Sequence, residues 1–182
     1  MIPVTDYITS GVWQIILNPT RVVEGQYDLW LPSENVLNRG TGFLYPDEEV
    51  TLTIPSTADK VISVGAYDAL TFSYASFSGR GYTWQDERTK PDLVASGVNV
   101  RTTAVGGGVT VVSGTSFATP FVTGASALLM EWGIVRGNDP FLYGEKVKAY
   151  LRRGARELPG FGKYPNREVG YGRLCLERSL PD

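Results

Sequence analysis

Apolar and polar positions change rhythm twice along this chain, and the changes divide it. Over residues 7–55 the apolar positions alternate. Trp13, Ile15 and Leu17 fall on one side of a run ended by Asn18-Pro19. Tyr27, Leu29 and Leu31 fall on one side of a second run, with Gly25 turning the chain before it. Residues 33–42 are polar and loop-like, and 49–54 give a third short run. This pattern predicts the last strands of a sandwich or jelly roll whose beginning lies elsewhere. From Pro55 the texture changes. Residues 60–66 are nearly continuous in apolar character, as in a strand buried on both faces of a parallel sheet. Residues 90–98 predict another strand and turn, Gly106-Gly107-Gly108 a flexible turn, and 109–112 a strand running into Ser113.

The third rhythm is helical. After Gly114, which allows backbone angles that a side chain hinders, Thr115 or Ser116 can cap a first turn. Pro120 lies close enough to that start to be tolerated, and Gly124, Ala125 and Ala127 let a neighbour approach closely. Leu128, Leu129 and Met130 continue the apolar character, so this helix is expected to be buried most of the way round. Asn138-Asp139-Pro140 is a helix start signal, Tyr143, Val147, Tyr150 and Leu151 repeat at helical spacing, and Gly154 ends the run. Arg152, Arg153 and Arg156 are expected on a solvated face that offsets the helix dipole, although such a cluster could also bind an acidic partner.

Composition narrows the chemistry. The chain has 182 residues, 42% hydrophobic and 20% charged, enough for one good core. A net charge of −2 argues against a nucleic-acid or anionic-membrane surface. No apolar run reaches membrane-spanning length, the longest being interrupted at Glu131. Residues 1–20 lack the features of a signal peptide, so any export signal is expected upstream. Cys175 stands alone, which excludes an intrachain disulfide, and its leucine neighbours suggest burial. The glycines of residues 76–81 do not fit a dinucleotide fingerprint. Histidine is absent, which removes a zinc site of the usual kind and any Ser–His or Cys–His pair from this chain acting alone. No cofactor or metal is implied.

Ser116 is the candidate reactive group, because the free N–H groups and dipole of a helix start favour developing negative charge beside its hydroxyl. The spacing of Gly114, Thr115, Ser116, Ala118, Pro120, Val122 and Gly124 resembles the nucleophile segment of subtilisin-like serine peptidases. Phe121 replaces a histidine that many members carry outside the catalytic set, and Ala118 makes the lipase-type Gly-x-Ser-x-Gly elbow a poorer fit. The resemblance extends to Val61-Ile62-Ser63-Val64-Gly65-Ala66, Phe77-Ser78, Lys90-Pro91-Asp92-Leu93-Val94-Ala95 with Gly97, and the closing turn Gly170-Tyr171-Gly172-Arg173-Leu174. Ser96 stands where most relatives have proline.

This likeness covers residues 55–182 and implies an α/β fold. Residues 55–182 would be the C-terminal half of a subtilisin-like parallel-sheet catalytic domain, and residues 1–54 the terminal strands of a jelly-roll-like insert. Residues 53–58, and Met130-Glu131-Trp132-Gly133-Ile134 leading into Gly137-Asn138-Asp139-Pro140, are similar to the clostridial spore-germination branch. That branch implies a secreted or spore-associated endopeptidase acting on protein substrates. The family pattern also implies a cis Ile54–Pro55 bond.

In the family's mechanism Ser116 is the nucleophile and its N–H serves the oxyanion, with Thr115 beside it as a substrate-binding candidate. The histidine, aspartate and oxyanion asparagine have no counterpart in residues 1–54. Losing the base costs on the order of a millionfold in turnover, a scale established on subtilisin itself, so the isolated chain is expected to be inactive. Its expected partner is the missing N-terminal half or a second copy of the chain. The alternatives are a non-catalytic pseudopeptidase or scaffold, and a Ser116 that merely caps a core helix. For Trp13, Tyr27 and Trp30, packing in a sandwich core is favoured over a carbohydrate-binding face.

Overall fold

The computed structural model describes residues 10–25, 27–32, 36–82 and 89–181. They fall into two compact units, Met1–Pro46 and Asp47–Asp182. Among the described residues of the first unit there is no strand, and none forms over residues 47–63 either. The runs expected at 11–17, 27–31 and 49–54 are therefore irregular. Alternation makes a strand only where a partner supplies the ladder and a second layer covers the apolar side. Neither is found among the described residues, where Trp13, Tyr27 and Trp30 are 55–66% exposed.

The second unit is built on β1 (Val64–Asp68), which pairs in parallel with β5 (Leu93–Ser96) and antiparallel with β2 (Ser73–Tyr74). β1 starts later than its apolar run predicts, because the Val61 carbonyl accepts instead from Lys90 and Lys148, and the Ser63 N–H donates to Asp92. Two small antiparallel pairs accompany this sheet, one inserted between β2 and β5 and one following β5: β3 (Gly81–Tyr82) with β4 (Thr89–Lys90), and β6 (Val100–Thr103) with β7 (Val109–Val112). The second pair turns through Gly106, Gly107 and Gly108, all at positive φ, as their spacing suggests. The period-two geometry sends Ala66, Leu93 and Ala95 to one face, against Ala118, Val122 and Leu129, and Tyr67 and Val94 to the other, with Leu158 and Val169. β5 is thus buried on both faces.

Helix α1 (Thr115–Met130) lies across β1 and β5. Its N-cap is Gly114, with no side-chain cap from Thr115 or Ser116. Ala118, Val122, Ala125 and Leu129 form its one buried stripe. The expectation of burial most of the way round is corrected: Phe121, Leu128 and Met130 are 43–53% exposed, and a Cβ on Gly124 would meet nothing within 4 Å. Nor does the helix stop at Glu131. It runs on as a π-helical turn, Glu131–Val135, in which Arg136 N–H reaches the Glu131 carbonyl. Thr115–Val135 is then 21 residues long and apolar enough to cross a membrane by length and composition, contrary to the sequence reading. Its buried stripe is packed on the sheet, as in a core helix.

Helix α2 (Gly144–Gly154) starts later than Asn138-Asp139-Pro140 suggests and ends where expected. Asp139 holds its first turns from outside, accepting from Lys146 Nζ (2.6 Å) and Tyr150 Oη (2.8 Å). α3 (Leu176–Ser179) packs on α2, and Cys175, its N-cap, is half-buried. The closing turn lies beside β5, with Val94 and Arg173 forming a parallel bridge and Leu174 N–H donating to the Val94 carbonyl (2.9 Å). The peptide bonds Ile54–Pro55, Lys90–Pro91 and Tyr164–Pro165 are cis, the first as expected.

Two glycines separate close packing from open surface. A Cβ on Gly154 would lie 2.5 Å from Ser179 Cα, whereas Gly124 has open space. Gly154→Ala is expected to cost about 1–3 kcal/mol by overpacking. Gly124→Ala should gain about 0.5–1 kcal/mol from helix propensity. Urea denaturation of both variants measures the difference.

Candidate active site

The site forms where β5 ends and α1 begins. Gly97, one residue past β5, donates its N–H to the Tyr67 carbonyl (3.1 Å) and accepts from Gly114 N–H (2.8 Å). It has to be glycine, since a Cβ would sit 2.6 Å from Ala66 Cβ and 3.0 Å from the Gly114 carbonyl. Two residues on, Asn99 takes a positive φ of 52°, and its N–H donates to Ser113 Oγ at 2.9 Å. Ser113 and Gly114 are therefore stitched to the strand end at two points. Gly114, at φ 152° and ψ 156°, then turns the chain into the helix.

Beyond that turn, the Gly114 carbonyl accepts from Phe117 N–H (3.0 Å) and Ala118 N–H (3.3 Å). Ser116 is exposed, and its hydroxyl makes no hydrogen bond to any described residue. The first turn of α1 carries no acidic side chain to oppose the helix dipole there. Pro120 has no N–H to offer the Ser116 carbonyl four residues back. Thr115 is half-buried, and its carbonyl accepts from Thr119 Oγ1 (3.0 Å), so its backbone is committed to the helix. The arrangement can present a hydroxyl to a substrate at a positive helix end. Within this chain it has no histidine to take the proton.

Sequence reasoning brought Ser116 and Thr115 to this turn but missed Ser113 and Asn99. Asn99 had a weak signal, asparagine being tolerant of positive φ. The Ser113 hydroxyl gave none, because its partner lies 14 residues away across the hairpin of β6 and β7. Of the arginines near the end of α2, Arg152 differs from expectation, while Arg153 and Arg156 are solvated. Arg152 turns inward and donates to the buried Asp92 through Nε (3.0 Å) and Nη2. Arg153 lies over the Tyr150 ring, and Arg156 sits 3.8 Å from Glu177. A solvated face was the wrong inference for Arg152 because a buried carboxylate lies within reach.

A parallel strand pair, a glycine turn and an apolar helix opening on an exposed serine define an α/β domain built as serine hydrolases are. The chain belongs to the subtilase family, whose family model matches residues 44–172. It is 39% identical over 134 residues to the membrane-bound transcription factor site-1 protease of Mus musculus, covering 71% of this chain and 12% of that protein. Against the serine protease AprX of Bacillus subtilis it is 33% identical over 156 residues, covering 75% and 33%. The structure of the Clostridium perfringens CspB protease aligns with a TM-score of 0.74 at 50% identity, over 79% of this chain and 30% of that one. The chain spans about a third or less of the length of each of these proteins.

The Ser113 hydrogen bond gives a local test. Ser113→Ala should lower stability by about 0.5–1.5 kcal/mol and speed hydrogen exchange at the Asn99 amide by more than at β1 amides, which feel only the change in global stability. Site-resolved exchange by NMR reads both.

Proposed function

We propose that this chain forms the C-terminal part of a subtilisin-like serine endopeptidase, with Ser116 as its nucleophile. The observation that carries the reading is the exposed Ser116 hydroxyl at the start of α1, on a turn held to β5 through Gly97. The hydroxyl attacks a peptide carbonyl and loses its proton to a histidine, and the Ser116 N–H and an asparagine side chain bind the oxyanion. The histidine then returns the proton to the departing amine, and water releases the acyl group. The base, its aspartate and the asparagine come from outside residues 1–182. Thr115 lies beside the attacked carbonyl as a substrate contact.

The exposed Phe121 and Leu128, seven residues apart on one side of α1, support the same reading. An apolar helix face of this kind is the surface that the rest of a catalytic domain covers. Residues 1–54, as the end of a jelly-roll-like insert, would gain their strands only with partners from that remainder. Export or spore association is the finer reading, supported by the 50% identity to the Clostridium perfringens protease. Another relative is membrane-bound by name, so family membership alone leaves the compartment open.

A fluorophosphonate probe separates the peptidase from a pseudopeptidase. The 182-residue chain alone should remain unlabelled. Mixed with the parent's remaining catalytic segment, it should be labelled at Ser116, with no labelling of Ser116→Ala. A stable complex that leaves Ser116 unlabelled would favour the scaffold. By light scattering at micromolar concentration, the chain alone should self-associate and its complex should not.

A further inference from the structure

Positive charge gathers at one end of this chain. Residues 150–181 hold six arginines and one lysine against three glutamates, although the whole chain carries a net charge of −2. Two of the six arginines are neutralised by the fold, Arg152 by the buried Asp92 and Arg167 by Glu49 at 3.1 Å. Of the three glutamates, Glu168 is taken by Arg80 at 2.9 Å. The remaining arginines are short of anions. Arg153 lies over the Tyr150 ring and Arg173 over the Phe72 ring, and neither meets a carboxylate among the described residues. Arg178 has no ion pair among them either, and Arg156 has Glu177, 3.8 Å away and exposed.

Three of these arginines share one recess. Arg153 in the last turn of α2, Arg156 just past it and Arg178 in α3 line an open recess of about 670 Å³ with Glu177, Leu180 and Pro181. The backbone holds Arg156 in place: its N–H donates to the Arg173 carbonyl (2.9 Å), and its carbonyl accepts from Arg173 N–H (2.7 Å). Residues bridged in this antiparallel way start their side chains on the same side, and like charges placed so are unfavourable. A bound anion offsets that cost. Arg173 Nε is buried and has no acceptor among the described residues, so its charge is not cancelled locally.

We propose that this recess is a docking site for an acidic peptide segment of a protein partner. Guanidinium groups match carboxylates through paired N–H donors, and three of them reach the same space. Leu180 and Pro181 supply apolar wall for the peptide's methylenes and backbone. The volume lies within the range of about 300–1,000 Å³ that suits a multi-atom ligand, more than one inorganic anion fills. A nucleic acid needs a longer basic track than three side chains, on a surface without the acidic surplus of this chain. No residue of the serine turn lines the recess, so docking is independent of Ser116 and holds for a peptidase or a scaffold alike.

Fluorescence anisotropy of rhodamine-labelled hexaglutamate, titrated with the 182-residue chain, tests the site. Hexaglutamate should bind at least about tenfold more tightly than hexaglutamine, and added salt should weaken it. Arg153→Gln with Arg178→Gln removes two charges that make no ion pair in the fold, and should weaken binding about fivefold. Equal binding of the two peptides, insensitivity to salt, or unchanged affinity in the double variant overturns the proposal. NMR of the arginine Nε–H groups needs no variant. Shifts at Arg153, Arg156 and Arg178 on adding unlabelled hexaglutamate support the site, and shifts confined to other arginines overturn it. An oligonucleotide of similar charge that displaces the peptide at equal or lower concentration overturns the assignment to a protein partner.

Discussion

The buried carboxylate of Asp92 is the constraint on which the second unit depends. A charge at zero exposure is tolerable only with its lone pairs filled, and the partners that fill them come from three separate elements. Ser63 arrives from the loop before β1, Lys90 from β4, and Lys148 and Arg152 from consecutive turns of α2. Removing the carboxylate would strand three cations, so the group fixes where α2 and the loop must lie relative to the start of β5.

From that anchored start the consequences run along β5. Leu93 and Ala95 pack under α1 while Val94 faces Leu158 and Val169, so the strand has no freedom to shift register. Its far end delivers Gly97 to the Gly114 turn, and Gly114 delivers Ser116. The placement of one hydroxyl therefore rests on a strand held by charge at one end and by two close glycines at the other. Neither end uses the exposed face of α1, which is free to meet a complementary surface without disturbing the serine.

How much of this could be read from the residues follows from how local each cause is. The helix after Gly114, the end of α2 at Gly154, the strand 109–112 and the glycine turn before it are all set by neighbours within a few positions, and all are found. The serine was legible because its spacing motif lies within eleven consecutive residues. The strands expected in residues 11–31 were not, because alternation records a preference for a half-buried sheet and says nothing of whether a partner strand exists. The helix start misread at Asn138 has a similar origin. Asp139 reads as a capping residue, yet its carboxylate chiefly serves Lys146 and Tyr150, several positions further on. Arg152 looked like surface charge because the Asp92 that claims it lies 60 positions earlier.

The tip of the hairpin between β6 and β7 has the opposite character. A Cβ on Gly106, Gly107 or Gly108 would meet nothing within 4 Å, and the strands on either side are paired over four positions. Lengthening a loop there costs little, about 0.6 kcal/mol for each doubling. Descendants of this chain can therefore vary that tip, grafting new sequence onto a hairpin whose second strand leads into the serine turn, while Gly97 and Gly114 keep the reactive turn unchanged.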